Sequence, residues 1–544
     1  MVKFGQEKKF FILLCLLSFT VFSLTSDGHR YTIDEDMTQQ QSMWIATMTP
    51  DPRFIPGESR ELFQFPELYP NNPRPICNFG ILCSQVPIGS TLVQVPFIIL
   101  NQNFNLITHE TAFFTVEDFP DPHYVFWRNS QNPDYTFLEL FFGPTFMALS
   151  VGLLFLVSRT YSLSTKTSII LSILFAFSTS AWAYSQTSLN VVPATFFILL
   201  GFYFFRKFIL TRTRLNLIFS ATALGFGFLA RNDVILYIIP LFVFLIFNLI
   251  QNSDKIRNVS KTRFLSFVLP LISVYIIELG VRTIRTGVGV VNEYTGLHEE
   301  IQYRSVSYFG IPSLINIFQS PACEPGKLCF YFIQSAYGLL FSPGVGLLIF
   351  CPILITMFYS FFDFYKKNKS ECILFISFIV IVIFFYSNNQ AWHGLQGWGA
   401  RYLTTLIPFL LIPLGFTIEK IQKKAFKIIL AGLGILGIIF NLSYIVTDVS
   451  WFIWGLMGSG VGLYELGHEP LQSLWIHPAV LWTFDYSQLT HSLKYMLTFS
   501  QIDIFLLKAW GLYFYSIFSI ASLSILTYLI IRLNKKSTIS VKKL

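Results

Sequence analysis

Long apolar runs separated by short polar stretches recur along the whole chain. About twelve such runs begin near Phe10, Phe137, Thr167, Val191, Leu215, Val234, Phe264, Val345, Cys372, Tyr402, Phe426 and Leu507. Runs of about 20 apolar residues are long enough to cross a bilayer as helices. Because the apolar residues are continuous rather than alternating, the pattern excludes a transmembrane β-barrel. The sequence therefore predicts an all-α polytopic membrane protein with about 12 transmembrane helices.

Composition supports a membrane location. The 544 residues are 53% hydrophobic and only 12% charged, with a mean hydropathy of +0.57, whereas soluble proteins carry about 25% charged residues. The first run, 10–24, follows Lys3, Lys8 and Lys9, which is typical of a signal peptide and of an uncleaved first helix. Since no small-x-small cleavage site follows it, we expect an uncleaved helix.

The distribution of charge predicts the orientation of the chain. Most of the basic residues, 25 of the 38 Lys and Arg, lie in seven short pieces: 1–9, 158–167, 206–214, 251–263, 365–371, 419–427 and 532–544. Only five of the 30 acids lie in or beside these pieces. Cytoplasmic loops carry the excess of Lys and Arg in membrane proteins. We therefore expect a multi-pass protein of the cell membrane with both termini in the cytoplasm, and the net charge of +8 gives no reason to invoke nucleic acid.

Three long segments, 26–136, 284–344 and 447–506, fall on the predicted external side. Long loops usually carry function, so we expect the active site on the external face, with interfacial helices in these loops. We divide the chain into a catalytic transmembrane module, 1–430, which includes the loop 26–136, and C-terminal transmembrane helices, 431–544, which include the loop 447–506.

Four of the seven cysteines form two C-x5-C pairs in predicted external loops. The oxidising exterior favours the disulfides Cys77–Cys83 and Cys323–Cys329. A four-thiolate metal site and free thiols are the alternatives, although this spacing matches zinc sites poorly. We expect the other three cysteines to pack within spans as small apolar residues.

An acid triplet follows the first apolar run. Asp34, Glu35 and Asp36 precede a stretch, "MTQQQSMWIATM", that can form an amphipathic surface helix. Carboxylates held there can serve as a general base or as metal ligands. The alternative is a solvated helix start, where acids favour the helix dipole.

Basic and aromatic residues collect at three further positions on the predicted external side. Arg231 and Asp233 lie between two apolar runs, as a functional pair or as a local ion pair in a turn. Arg282 lies towards the outer end of a predicted helix, where an ion pair with Glu278 and a contact with lipid phosphate are both open. The stretch "WHGLQGWGARY" places His393 and Arg401 among three glycines. It is either a headgroup-level aromatic belt or a site in which a guanidinium binds phosphate.

The sequence lacks G-x-x-x-x-G-K-[ST], H-E-x-x-H and G-x-S-x-G, so nucleotide hydrolysis and the corresponding protease and hydrolase chemistries have no support. Instead the chain resembles the GT-C glycosyltransferases that use polyprenyl- or dolichyl-phosphate sugars. Among these it looks most like protein O-mannosyltransferases and the lipid A aminoarabinose transferase. The resemblance rests on six stretches in the family's order: Asp34-Glu35, "VPIGSTLVQVPFIIL" (86–100), "SAWAYSQTSLNVVPATFFILLGFYFF" (180–205), "LARNDVILYIIPL" (229–241), "LLFSPGVGLLIFCP" (339–352) and "GWGARYLTTLIPFLLIPL" (397–414).

The resemblance implies a lipid-phosphate sugar donor at the outer membrane surface and a protein, lipid or glycan acceptor opposite it. It implies that Asp34 is the general base and that Glu35 orients the acceptor or a metal. His393 and Asp36 are possible acceptor or metal contacts. Arg401 would bind the donor phosphate, with Arg231 and Arg282 as further candidates. No cofactor is certain, and a divalent metal is compatible with the acidic residues.

One stretch departs from the family pattern. Many relatives carry an acid in the turn before the fourth helix, where this chain reads "TSLNVVP" with Asn190, Val191 and Val192. A second carboxylate from that turn is therefore in doubt. Two other functions stay open beside a glycosyltransferase. One is a transporter or flippase of a lipid-linked glycan, and the other is a non-enzymatic assembly or anchoring protein. Transporters place ionisable groups within their spans, whereas here the polar groups collect at the predicted external face.

Overall fold

The computed structural model describes residues 2–28, 33–47, 87–104, 136–251, 257–286, 331–388, 392–394, 397–447, 478–499 and 502–542. Within these ranges the chain is helical and contains no β-strand, only an isolated bridge between Thr447 and Ile502. The prediction of an all-α fold is confirmed.

Four described helices of the N-terminal half are long and apolar enough to cross a membrane. The described helices of this half are ten in number. They are α1 (Val2–Leu24), α2 (Ile33–Thr47), α3 (Ile88–Phe104), α4 (Thr136–Thr160), α5 (Thr165–Phe177), α6 (Ala181–Tyr184), α7 (Val191–Thr211), α8 (Arg214–Ala230), α9 (Ile235–Gln251) and α10 (Arg257–Thr286). A 3-10 turn, Asn232–Val234, joins α8 to α9.

The C-terminal half continues in the same way. It contains α11 (Tyr331–Phe341), α12 (Leu347–Phe350), α13 (Met357–Lys367), α14 (Lys369–Ser387), α15 (Ile407–Lys420), α16 (Lys424–Ile445), α17 (Pro478–Trp482), α18 (Gln488–Thr498) and α19 (Phe505–Lys542). Two 3-10 helices, Pro352–Thr356 and Arg401–Leu406, precede α13 and α15.

Eight helices in the described ranges are long and apolar enough to cross a membrane. They are Phe137–Thr160, Val191–Thr211, Asn232–Ile250, Lys261–Val281, Lys369–Ser387, Arg401–Lys420, Lys424–Ile445 and Phe505–Leu533. Each coincides with a predicted run, so the polytopic membrane architecture is confirmed, whereas the count of about twelve is not. The predicted spans near Thr167 and Leu215 are the shorter helices α5 and α8.

The span predicted to begin near Val345 is not one continuous helix. It is divided into α12, a 3-10 helix that begins at Pro352, and α13. Proline lacks the N–H that an interior helical position must donate and clashes with the preceding turn. The continuous apolar character of this run therefore did not predict the break in its helix.

Local signals set the ends of several helices. The Ser164 side chain accepts a hydrogen bond from the Thr167 N–H at 3.2 Å and caps the start of α5. Arg212 adopts a left-handed conformation and ends α7. Such caps matter because the first and last backbone groups of a helix have no partner within it.

Aromatic side chains fill much of the core between the spans. The ring of Phe409 in α15 lies 5.1 Å from that of Phe202 in α7 and 5.0 Å from that of Phe378 in α14, both edge to face. Edge-to-face packing aligns the positive ring edge with the negative ring face. These contacts hold α7, α14 and α15 together beneath the turns described below.

Three of the five acids in or beside the basic pieces form ion pairs at one end of the bundle. The ion pairs there are Glu7 with Arg159 at 3.1 Å, Asp363 with Lys420 at 2.6 Å, and Glu371 with Arg206. The turns that the charge distribution assigned to the external side lie together at the other end. Phe505 N–H donates to Ser26 O at 2.9 Å and Asp503 N–H donates to Val446 O at 2.9 Å. The helix ends thus alternate between the two ends of the bundle as the sequence predicted. The side of the membrane that each end faces and the division at residue 430 stay predictions.

Candidate functional site

The acid triplet forms the first turn of α2. The side chains of Asp34 and Asp36 lie outside the described part of the structure, whereas that of Glu35 is fully buried. Glu35, Gln39 and Ser42 occur at helical positions i, i+4 and i+7, so they share one face. All three are buried against α3, α4 and the turn before α7. The solvated helix start is therefore excluded for Glu35.

The partner of Glu35 is the turn that joins α6 to α7. Ser188 donates its backbone N–H to Glu35 Oε1 at 2.7 Å and its hydroxyl to the same oxygen at 3.4 Å. Gln94 of α3 donates to the Ser188 carbonyl at 3.0 Å. This is the turn in which the sequence lacks the acid of many relatives, and here it supplies hydrogen-bond donors to a carboxylate of α2.

A second carboxylate, Glu139, lies in the same group and was missed by the sequence reasoning. It occupies the first turn of α4 and is 2% exposed. Gln39 Nε2 donates both to Glu139 Oε1 and to Ser188 Oγ, the latter at 2.9 Å. We call Glu35, Gln39, Glu139 and Ser188 the carboxylate cluster. An acid at the start of an apolar run was a usable signal, since ionisable residues there are often functional.

A second cluster surrounds Arg231, which ends α8. Its guanidinium lies 3.0 Å from Asp233 Oδ2 and donates to Tyr386 Oη of α14 at 2.8 Å. The Tyr386 hydroxyl in turn donates to Asp233 Oδ2. Arg231 is 7% exposed, and its Nη1 has no hydrogen-bond partner among the described residues. One guanidinium nitrogen is thus buried without a partner among the described residues, whereas the other two are bonded.

Tyr402 places Arg401 next to this group. The rings of Tyr386 and Tyr402 are stacked with centroids 4.4 Å apart and an interplanar angle of 4°. Arg401 lies 5.1 Å and Arg231 lies 5.6 Å from the Tyr402 ring centroid. We call Arg231, Asp233, Tyr386, Arg401 and Tyr402 the arginine cluster. It brings two of the three predicted phosphate-binding arginines to one aromatic ring.

The glycine-containing turn before Arg401 is tightly packed. Gly394 and Gly399 have positive φ angles of 65° and 61°, which other residues rarely adopt. A Cβ atom at Gly397 would lie 2.7 Å from Tyr184 Oη and 3.0 Å from Arg401 Cβ. These glycines allow the backbone to pass close to Arg401.

His393 lies in the same turn and is 4% exposed. Burial, with the nearby charge of Arg401, lowers the pKa of His393 from its usual value of 6.5 to about 4. The imidazole is therefore neutral at physiological pH, and its Nδ1 has no hydrogen-bond partner in the described residues. A neutral histidine here adds no third positive charge, but it offers a donor or an acceptor to a polar ligand.

The short segment 184–188 connects the two clusters. The Tyr184 hydroxyl donates to the Trp398 carbonyl at 3.0 Å, in the turn that leads to Arg401. Four residues later Ser188 contacts Glu35. Because four residues span at most about 14 Å, the buried carboxylates and the arginines occupy neighbouring parts of one end of the bundle.

Several predicted site residues are not placed by the structure. The side chain of Arg282 lies outside the described set, although its backbone belongs to α10. Cys77, Cys83, Cys323 and Cys329 lie outside the described residues, so both disulfides stay predictions. Across the described ranges no three His, Cys, Asp or Glu residues approach each other closely enough to hold a metal ion. The carboxylate cluster offers two acids that are connected through the Gln39 amide and Ser188.

Comparisons with known proteins agree with part of this picture. Residues 120–284 match the family model of dolichyl-phosphate-mannose-protein mannosyltransferases. The matched region includes Glu139, Ser188 and Arg231, and it confirms the resemblance to protein O-mannosyltransferases over these residues. A search of curated proteins finds no match.

One solved structure is similar in arrangement. It is the archaeal oligosaccharyltransferase AglB from Archaeoglobus fulgidus, in complex with an inhibitory peptide and a dolichol-phosphate. The two share 10% identity with a TM-score of 0.43, and the match covers 85% of the present chain. The chain spans 59% of the length of that protein.

Proposed function

We propose that this protein is an integral-membrane glycosyltransferase that moves a sugar from a polyprenyl- or dolichyl-phosphate donor to a hydroxyl acceptor. The observation that carries the proposal is the pairing of a buried carboxylate cluster with a partly buried arginine cluster at one end of the bundle. The family-model match over residues 120–284 supports it. Mannose is the first sugar to test, because the matched family is described by mannose transfer.

The arginine cluster suits the donor phosphate. Guanidinium groups bind phosphate through charge-assisted hydrogen bonds, and Arg231 has Nη1 without a partner among the described residues while Asp233 and Tyr386 fix its other nitrogens. Arg401, 5.1 Å from the Tyr402 ring centroid, adds a second charge. As the sugar leaves, negative charge grows on the lipid phosphate, and fixed cations stabilise this charge more in the transition state than in the bound donor.

Carboxylates of α2 would act on the acceptor. Asp34 accepts the proton of the acceptor hydroxyl as general base. The oxygen attacks the anomeric carbon from the side opposite the phosphate. The bond between that carbon and the phosphate oxygen breaks, and its electron pair leaves with the lipid phosphate, so the configuration inverts. Glu35, held at 2.7 Å by the Ser188 N–H, fixes the first turn of α2 and hence the position of Asp34.

The excess of basic residues at the opposite end supports an external location for the site. Because Lys and Arg favour the cytoplasmic side, the helix ends that carry both clusters would face outward and both termini would face inward. A donor lipid would then enter from the outer leaflet, and a protein, lipid or glycan acceptor would approach from outside the cell.

The test uses the purified protein in lipid nanodiscs with polyprenyl-phosphate [14C]mannose. Separate reactions contain a peptide rich in Ser and Thr, an extracted glycolipid fraction, or no acceptor. We expect label to move to one acceptor class and free polyprenyl phosphate to accumulate in equal amount. In sealed vesicles, movement of the labelled lipid between leaflets without transfer would replace the proposal by a flippase. The absence of both transfer and movement would favour an anchoring role.

A further inference from the structure

Glu139 is the one buried carboxylate of the site for which the mechanism above has no use. It is 2% exposed and lies at the start of α4, about a hundred residues along the chain from its partner Gln39. A buried acid is costly unless its hydrogen bonds are made. Its hydrogen bonds within the carboxylate cluster connect it to Glu35 through Gln39 and Ser188.

The hydrogen bonds of the carboxylate cluster are donated outward from Gln39, to Glu139 on one side and through Ser188 to Glu35 on the other. The Gln39 amide nitrogen has two hydrogens, and it donates to Glu139 Oε1 and to Ser188 Oγ. Since Ser188 Oγ accepts from Gln39, its single hydrogen is directed to Glu35 Oε1 at 3.4 Å. Glu139 therefore stands at one end of a chain of donors and Glu35 at the other.

A carboxylate is the group that fixes this direction, because when ionised it only accepts hydrogen bonds. An amide at position 139 can donate instead and can hold the Gln39 side chain with its oxygen inward. The oxygen of Gln39 would then accept the Ser188 hydrogen, and Glu35 would lose one of its two donors from Ser188. The volume of the side chain is unchanged by this substitution, so its effect is on hydrogen-bond direction rather than on packing.

We propose that Glu139 is a positioning residue that orients the Gln39 amide, commits the Ser188 hydroxyl to Glu35 and so fixes the first turn of α2. The inference rests on the proposed function only because its kinetic test measures sugar transfer. Glu139 touches neither donor nor acceptor in this scheme.

The test compares the parent, Glu139→Gln, Ser188→Ala and the double variant in nanodiscs. Both single variants remove the same hydroxyl bond to Glu35. Because this hydroxyl bond is long, at 3.4 Å, and an ordinary hydrogen bond corresponds to a roughly two- to tenfold change, we expect kcat to fall by about two- to tenfold in each. The donor KM should change less than about twofold, since the arginine cluster is untouched. The double variant should be no slower than the slower single variant, because the two changes act through one bond.

Two further variants separate orientation from packing. Glu139→Asp keeps an acceptor at this position and should restore part of the lost kcat. Glu419→Gln, at the opposite end of the bundle where Glu419 accepts from the Ser164 N–H, is the matched acid-to-amide control and should keep the parental rate. A parental kcat in Glu139→Gln, or losses in the two single variants that multiply in the double variant, would overturn the proposal.

A parent protein that transfers no sugar would contradict the proposed function without deciding this inference. The melting temperatures of the same four proteins then decide it. Losses of stability that do not add between Glu139→Gln and Ser188→Ala support one shared chain of hydrogen bonds, whereas additive losses refute it.

Discussion

The substitution Gly397→Ala tests whether the tight turn before Arg401 positions the arginine cluster. The added Cβ atom would lie 2.7 Å from Tyr184 Oη and 3.0 Å from both Arg401 Cβ and Cδ. Gly397 does not have a positive φ, so the perturbation is steric only. Tyr184 is 1% exposed and its hydroxyl is held by the Trp398 carbonyl at 3.0 Å, so Arg401 or the turn itself must move.

The magnitude follows from this overlap. Inserting a methyl group into a well-packed site costs about 1–3 kcal/mol. Because the entropy of unfolding scales with chain length, this free-energy cost lowers the melting temperature by about 1–3 °C for a chain of this size. If Arg401 binds the donor phosphate, its displacement also raises the donor KM by about tenfold, the loss of one charge-assisted hydrogen bond.

Thermal unfolding and donor kinetics in nanodiscs measure both effects. The matched control is Gly432→Ala in α16, where an added Cβ meets nothing within 4 Å. We expect this control to keep the parental donor KM and to be at least as stable, because alanine favours helix more than glycine does. A Gly397→Ala protein with parental melting temperature and donor KM would refute the argument that this turn positions Arg401.

Two further predictions concern the same end of the bundle. Tyr386→Phe keeps the ring stacked on Tyr402 but removes the hydroxyl that links Arg231 and Asp233. We expect a stability loss of about 1–3 kcal/mol and a raised donor KM, and an unchanged protein in both assays would show that the hydroxyl is dispensable. The pKa of His393 is about 4 in the folded protein against an ordinary value of 6.5, so below pH 6.5 the unfolded chain binds a proton that the folded chain does not. Stability should therefore fall by about 2 kcal/mol between pH 7 and pH 5. His393→Gln should remove that part of the fall in melting temperature, and an identical pH dependence in both proteins would contradict the burial of a neutral imidazole.

The apolar pattern predicted the spans better than it predicted their continuity. The runs that begin near Phe137, Val191 and Cys372 are single helices of span length. The run near Val345 is interrupted at Pro352, because hydropathy reports burial and not whether each backbone donor has a partner. The runs near Thr167 and Leu215 form helices of 13 and 17 residues, too short to be counted as spans by length.

The contacts within the site join residues that lie at very different separations along the sequence. Arg231 and Asp233 are two residues apart, so their ion pair was foreseeable from local sequence alone. The bond of Gln39 to Glu139 joins residues a hundred positions apart, and that of Ser188 to Glu35 joins residues 153 apart. No local period encodes such pairs, since they depend on which helix faces pack together. The burial of Glu35 likewise became visible only when α2 was seen against α3 and α4.

The central claim is that a carboxylate of the first turn of α2 activates the acceptor. The most direct measurement is the single-turnover rate at which label leaves polyprenyl-phosphate [14C]mannose in the presence of its acceptor. It is compared for the parent, Asp34→Asn and the exposed acid-to-amide control Asp485→Asn. If Asp34 is the general base, the Asp34→Asn variant should lose at least about a hundredfold in rate, as removal of a general base does. The variant should keep the parental melting temperature and donor affinity. The control should transfer at the parental rate. Transfer by Asp34→Asn at the parental rate would contradict the role of Asp34 as general base.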